Sequence, residues 1–365
     1  MILDGPPDEV LAGACKWSTR LTSWLGGRML SATIPLSSGR VTGKVDDEVI
    51  ETLKFTLPRF AAPIEGEDVV DWRPGTKKDH ALARYGQAID VTNIVQSVIT
   101  GQIWETRLGR YQVKDWDDDD AGTVSVKAES LLARPRDDGL LVPTSPTGTF
   151  TSEARRLAPA GMGVSFDPKL VDRAVPTAMS WSESRLDAFR EMADAWPALL
   201  RIDQWGQIRF RAPLPEIPVP VHTLTDGAGG TLISRPTADS RDKAPNLVAV
   251  STGSSDTADV QGIAAITSGP MSVNGGYGVV TKKWSSSTIE NLAQAVAAAQ
   301  ADLDAGVRAA QSTPVRIAPD PRIELDDAIA VTRGDEPPMW GWVVARDIPL
   351  TAGDGDMRID IGMPA

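Results

Sequence analysis

A chain of 365 residues exceeds the usual span of one compact domain, so two or three units are expected, each able to bury a core. With 41% hydrophobic and 24% charged residues and no apolar run near the roughly 20 residues that a membrane-spanning helix needs, it reads as soluble. The 49 acidic against 37 basic residues leave a formal charge of −12, the opposite of a nucleic-acid-binding footprint, and the single cysteine, Cys15, excludes intramolecular disulfides and thiolate metal clusters within one chain.

The N-terminal MILDGPPDEV lacks the basic start and apolar stretch of a secretory signal, so the chain is expected to stay where it is made until assembly or lysis. The 32 Gly and 27 Pro are spread throughout, which favours short strands between turns. RMLSATIPL (28–36), RVTGKV (40–45) and VIETLKFTLP (49–58) are strand-like, the first two set as a hairpin across SSG. The β-branched run from Gln87 to Trp116 predicts two or more further strands, and TVSVKAESLL (123–132) alternates cleanly. RPRDDGLLVPTSPTGTF (134–150) has the composition of a crossing between units.

The middle third changes character. TSEARRLAPAGM predicts a short helix capped at Thr151 or Ser152 and ending before Pro159. WSESRLDAFREMADAWPALL predicts a second helix capped by Ser182, with Leu186, Phe189, Ala193 and Trp196 on one face and Pro197 as its end. A hairpin follows, Leu200 and Ile202 pairing with Ile208 and Phe210 across a turn at Gln204 to Gly206. The proline-dense RAPLPEIPVPVH (211–222) reads as a connector.

Toward the C-terminus NLVAVSTG (246–253) alternates as a strand. A long helix is predicted from Ser287 to Gln311, Ser287 and Glu290 fitting a capping box and Ile289, Leu292, Val296, Leu303 and Val307 forming an apolar stripe. TPVRIAP, IELDDAIAVTR, MWGWVVARDIPL and MRIDIGM complete the chain as strands.

Asp115, Asp117, Asp118, Asp119 and Asp120 crowd one stretch, KDWDDDD, but a calcium loop counted from Asp115 would need glycine where Asp120 stands and glutamate where Val126 stands. Strand-like flanks make the run a solvated hairpin turn. His80 and His222 lack the ordered neighbours of a zinc site. LSSGR and TGSSD are not nucleophile elbows, Cys15 has no partner nearby in sequence, and GAGG (227–230) and GGYG (275–278) neither open a helix nor carry a P-loop lysine. Glu183, Asp187, Glu191 and Asp194 follow solvated helix stripes. Trp181 and Trp196 are expected in the core, and Trp205, Trp340 and Trp342 are candidate interface aromatics. No catalytic, cofactor or metal site is expected.

The order of parts nevertheless resembles a known family, the tail hub (baseplate hub) of long-tailed bacteriophages. Four stretches carry the resemblance: RYQVKDW, acidic turn, GTVSVKAESLLARP; TSEARRLAPAGMGVSFD with the following helix and the hairpin turning at Asp203 to Gly206; the alanine-rich helix before PDPRIELDDAIAV; and ARDIPLTAGDGDMRIDI. Asp326 and Asp327 stand where the family more often has a Gly-Asp turn. The resemblance implies a mainly β fold with an α+β insertion: tail-tube-like β-barrel domains at 1–133 and 223–365 and a helix-containing region at 134–222. It implies a trimer closing the tail tube around a DNA path, with the tube or distal tail protein, the tape-measure protein and fibres, spike or receptor-binding proteins as partners. It further implies a virion location and no appended lysin after Pro364 and Ala365. Two other readings compete: a carbohydrate- or peptidoglycan-active tail enzyme using two of the carboxylates, and a receptor- or carbohydrate-binding tail module.

Overall fold

The computed structural model describes residues 5–119, 121–177, 179–181, 184–236, 245–252, 261–286, 289, 291–310 and 312–363. The chain is mainly β. After a short helix α1 (Asp8–Leu11), the first third forms β1 (Cys15–Leu25), β2 (Arg28–Ser31), β3 (Ser38–Lys44), β4 (Glu51–Pro58), the small arm β5 (Phe60–Ala61) and β6 (Val70–Asp71), then β7 (Ala88–Ser97), β8 (Ile103–Asp118) and β9 (Thr123–Ser130). The middle holds α2 (Ala133–Asp137), α3 (Phe150–Leu157), β10 (Val164–Phe166), α4 (Arg185–Ala195), β11 (Leu199–Ile202) and β12 (Ile208–Arg211). The last third runs β13 (His222–Thr225), β14 (Leu232–Ser234), β15 (Leu247–Thr252), β16 (Gln261–Ala265), β17 (Thr281–Ser286), α5 (Leu292–Ala310), β18 (Ser312–Ile317), β19 (Ala328–Thr332), β20 (Met339–Pro349) and β21 (Met357–Gly362).

Strands from both ends of the chain share one 13-stranded sheet in the order β14-β18-β21-β20-β3-β4-β9-β8-β7-β1-β2, with β19 pairing on β20 and β13 on β19. The seam is the antiparallel pairing of β20 with β3, Ile348 opposite Val41. The ladders follow an open path. Contacts outside the ladders curl it: Thr19 Oγ1 of β1 donates to the carbonyl of Leu350 at 2.7 Å, beside the start of β3. At the other end β14, the edge of the main path, and β13, the edge of the β19 branch, are joined by only the six residues between them.

The expected hairpin of RMLSATIPL with RVTGKV does not form. β2 folds back on β1 instead, Leu25 opposite Arg28, across Gly26 and Gly27 with φ of +54° and +84°. Two consecutive glycines supply the positive φ of a tight turn, and Pro35 removes a ladder donor from the second half of the predicted strand.

One apolar core runs from the inner face of the sheet into the middle unit. There α3 and α4 cover β10-β12-β11, and Trp196 stacks on Phe150 at 5.3 Å while Phe166 stacks on Phe210 at 5.8 Å. Thr149, not Thr151 or Ser152, caps α3, with Ser152 returning the bond to the Thr149 backbone in a capping box. Ser184 caps α4, accepting from the backbone N–H of Leu186 and Asp187; Ser182 lies outside the described residues. The β11–β12 register is the expected one, Leu200 opposite Phe210 and Ile202 opposite Ile208.

A satellite core forms where α5 packs on the three-stranded sheet β16-β15-β17. Its buried stripe differs from the expected one. Ala295, Ala299, Leu303 and Val307 are buried, whereas Leu292 and Val296 are exposed; Ser287, Glu290 and Gln311 lie outside the described residues. The reason is a close backbone approach: a Cβ on Gly262 of β16 would run into the Ala295 and Val296 backbone, so this face of α5 must be small. Gly262→Ala should therefore destabilise this unit by about 1–3 kcal/mol through overpacking, seen as earlier loss of amide protection in α5 than in the large sheet.

Candidate functional site

Alternation along the strands at the seam gives the sheet two unlike faces. On β3, Gly39, Val41 and Gly43 turn inward and Ser38, Arg40, Thr42 and Lys44 outward; on β4, Leu53, Phe55 and Leu57 are buried while Thr52, Lys54 and Thr56 are not. The pattern continues through β9 and across the seam to Asp347, Arg358, Asp360 and Arg316. The result is a largely polar wall from β18 to β8, with Pro58, Pro314, Ala345, Pro349 and Ile103 among its apolar positions. Charges alternate in blocks along it. Arg40 reaches Asp347 at 2.5 Å, then Lys54 and Lys127 follow in register, and Asp115 stands opposite Lys127.

The acidic run sits at one end of this wall. It does lie between two paired strands, but most of it belongs to the strand: β8 continues to Asp118, so Asp115, Asp117 and Asp118 are exposed strand residues and only Asp119 begins the turn. Asp119 Oδ1 accepts the Thr123 backbone N–H at 2.7 Å, Gly122 turns with φ +89°, and Arg73 approaches Asp118 at 3.6 Å; Asp120 lies outside the described residues. A second acidic turn, Asp46 to Glu48, lies at the opposite end of the same strands.

The aromatics divide. Trp181 and Trp196 are buried in the middle unit. Trp205 is 55% exposed with the Arg107 guanidinium over its ring at 4.4 Å. Trp340 and Trp342 share a face as their spacing predicts, yet Trp340 is 51% exposed and Trp342 only 2%. Trp342 lies opposite Gly362 of β21, the strand that α5 contacts, whereas Trp340 lies opposite Ala330 toward the β13 edge.

Sequence reasoning missed the buried ion pairs that join the parts. Asp326 has φ +67°, the left-handed conformation in which the Gly-Asp variant would be at ease, and Arg201 clamps its carboxylate with Nε–Oδ2 at 2.6 Å and Nη2–Oδ1 at 2.9 Å. Arg211 adds a third contact at 3.5 Å. At the seam the buried Glu51 of β4 accepts from Tyr111 Oη at 3.0 Å and from the Arg346 guanidinium, whose Nη1 donates to the Ile323 carbonyl at 2.7 Å. Burial, and next the charge of Glu51, push the Tyr111 hydroxyl well above its ordinary pKa, so it stays a donor. Gly109 leaves room for that ring: a Cβ there would fall 2.6 Å from Tyr111 Oη. Asp90 gathers Arg107 at 2.6 Å and Arg110 at 2.5 Å, and Arg107 Nε also donates to the Gln204 carbonyl at 2.8 Å, fastening the β11–β12 turn to β8.

The remaining candidates make local contacts. His80 packs edge-on against Trp72 and accepts the Leu82 N–H at 3.1 Å, and burial lowers its pKa; His222 opens β13 with Nε2 3.7 Å from Asp327. Among the described residues no three His, Cys, Asp or Glu side chains converge as metal ligands. Gly227, Gly229 and Gly278 have positive φ in loops. Asp187 and Asp194 are exposed on α4, Glu191 half-exposed, and Glu183, like most of TGSSD, lies outside the described residues.

No protein-family model and no curated protein matches the sequence. Solved structures do. The tail protein from Neisseria meningitidis MC58 superposes with a TM-score of 0.63 at 12% identity, covering 94% of this chain and 96% of that one. The 43 kDa tail protein of prophage MuSo2 from Shewanella oneidensis gives 0.62 at 11% identity over 94% and 98%. A Francisella PdpA-VgrG complex gives 0.50 at 7% identity, with 96% of this chain matched to 53% of that one. With the first two chains covered almost end to end, this protein has the fold of these tail proteins.

Proposed function

We propose that the chain is a structural component of a phage tail tip: a hub of three copies that closes the tail tube around a DNA path and anchors fibres, spike or receptor-binding proteins. The observation that carries this reading is the sheet itself, which joins the two ends of the chain through β20 and β3 and offers one largely polar wall backed by one apolar core. In the proposed assembly residues 1–133 and 223–365 act as paired tube-like barrel units and 134–222 as an insertion; three copies place six such units around the channel. The wall presents mainly hydroxyls and mixed charges, and a net charge of −12 disfavours gripping phosphate. Tube or distal tail protein and tape-measure protein would dock along the ring axis.

Reconstruction of intact particles tests this directly. Three-fold density for the chain at the tail tip is expected, and density elsewhere would refute the assignment. The role is not enzymatic in this reading. Replacing Asp117, Asp118, Asp119 and Asp120 together by Asn should leave particle assembly intact; cell-wall hydrolysis by the purified protein that disappears with these changes would establish the enzyme instead.

A further inference from the structure

The polar wall carries a charge pattern that sheets ordinarily avoid. Lys54 of β4 stands directly opposite Lys127 of β9, and Arg316 of β18 directly opposite Arg358 of β21. Alternation puts all four on the outward face, away from Phe55, Val126, Val315 and Ile359 in the core. Like charges facing each other on neighbouring strands are destabilising, and the nearby carboxylates flank the pairs rather than separate their members. Asp347, between the two pairs, is held by Arg40; Asp356 is held by Arg316; Asp360 lies in the row of Lys44; and Asp115 and Asp117 close the wall on the β8 side. Lys54, Lys127 and Arg358 form no ion pair with a described residue. In the rows beside Lys54 and Lys127 the same face presents Thr52, Thr56 and Ser125, whose hydroxyls can donate to an oxyanion. The two cation pairs lie four strand spacings apart in the sheet, about 19 Å.

We propose that the two pairs are phosphate contacts for a DNA duplex moving along the wall, an inference that rests on the channel reading above. Two sites so far apart cannot share one small anion, but they can meet separate phosphates of a polymer. Their setting keeps the contact weak. The field of a chain at −12 opposes a tight grip, and the pairs relieve that repulsion at two fixed points, so contacts form and release rather than hold. Lysine and arginine on central strands reach the backbone of any sequence, which leaves the contact without base specificity. Three copies would carry six such pairs.

The test is fluorescence anisotropy of a labelled DNA duplex of about 20 bp titrated with the full chain, at salt from about 20 to about 200 mM. Binding with a Kd on the order of 10⁻⁴ M is expected at the lowest salt. Lys54→Gln with Lys127→Gln should weaken it about tenfold and reduce the slope of log K against log salt by about 2, and adding Arg358→Gln should abolish it. Each change relieves a like-charge contact, so lost binding with an unchanged or raised thermal midpoint reports the contact and not unfolding. The control, Lys77→Gln with Lys78→Gln, removes the same charge from exposed positions after β6 and should weaken binding by less than about twofold. Absence of binding at the lowest salt, an equal loss in the control, or tighter binding of poly-L-glutamate than of the duplex would each overturn the assignment. None of those outcomes bears on the hub reading, which particle reconstruction tests by itself.

Discussion

Asp326→Ala should lower stability by about 3–5 kcal/mol, because it leaves Arg201 in the interior without its counter-charge. The side chains of Asp326 and Arg201 are 4% and 15% exposed, and the bidentate geometry satisfies both carboxylate oxygens. Two further substitutions separate charge from backbone. Asp326→Gly relieves the left-handed φ of +67° yet still strands Arg201, so it should be milder than alanine by about 1–2 kcal/mol. Asp326→Asn keeps a residue tolerant of that conformation and part of the hydrogen bonding, for a loss of about 1–3 kcal/mol. Denaturation midpoints should therefore fall in the order wild type, Asn, Gly, Ala. A glycine variant as stable as wild type would mean that the turn needs only the conformation and that the Arg201 clamp contributes nothing.

That site also marks where reading the sequence stops. A Gly-Asp turn could be anticipated there from family resemblance, but the partner that lets aspartate replace glycine lies 125 residues away. The Glu51 and Arg346 pair spans 295 residues. No local pattern signals either, since an arginine in a strand is ordinarily a solvated residue. What was legible depended on local periodicity: the β11–β12 register, the buried face of α4, and the alternating strands at the seam. What was not legible depended on something arriving from elsewhere. The α5 stripe is set by the bare backbone of Gly262, the fate of Trp342 by what packs beside β21, and the β1–β2 hairpin by a choice between two plausible partners for the same strand. The acidic run shows the same limit in reverse. Its composition drew attention to Asp115 and Asp117 to Asp120 as a turn, yet pairing with β9 carries β8 on through Asp118.

Glu51→Ala should cost about 3–5 kcal/mol for the same electrostatic reason, but at the seam that joins the two ends of the chain. Arg346 is 4% exposed and its Nη2 depends on Glu51, and Tyr111 Oη loses its acceptor as well. If the network serves packing alone, an apolar replacement should do equally well: Glu51→Leu, Arg346→Met and Tyr111→Phe together should recover most of the loss, since no buried charge or hydroxyl is left unpaired. The location predicts how the damage spreads. β3 pairs with both β4 and β20, so loosening Glu51 should reduce hydrogen-exchange protection in β3, β4 and β20 together, while α5 and the satellite sheet, which have their own core, keep theirs. Protection lost only in β4 would mean that the two ends open independently, and a sheet built that way could not hold paired tube units in one rigid wall.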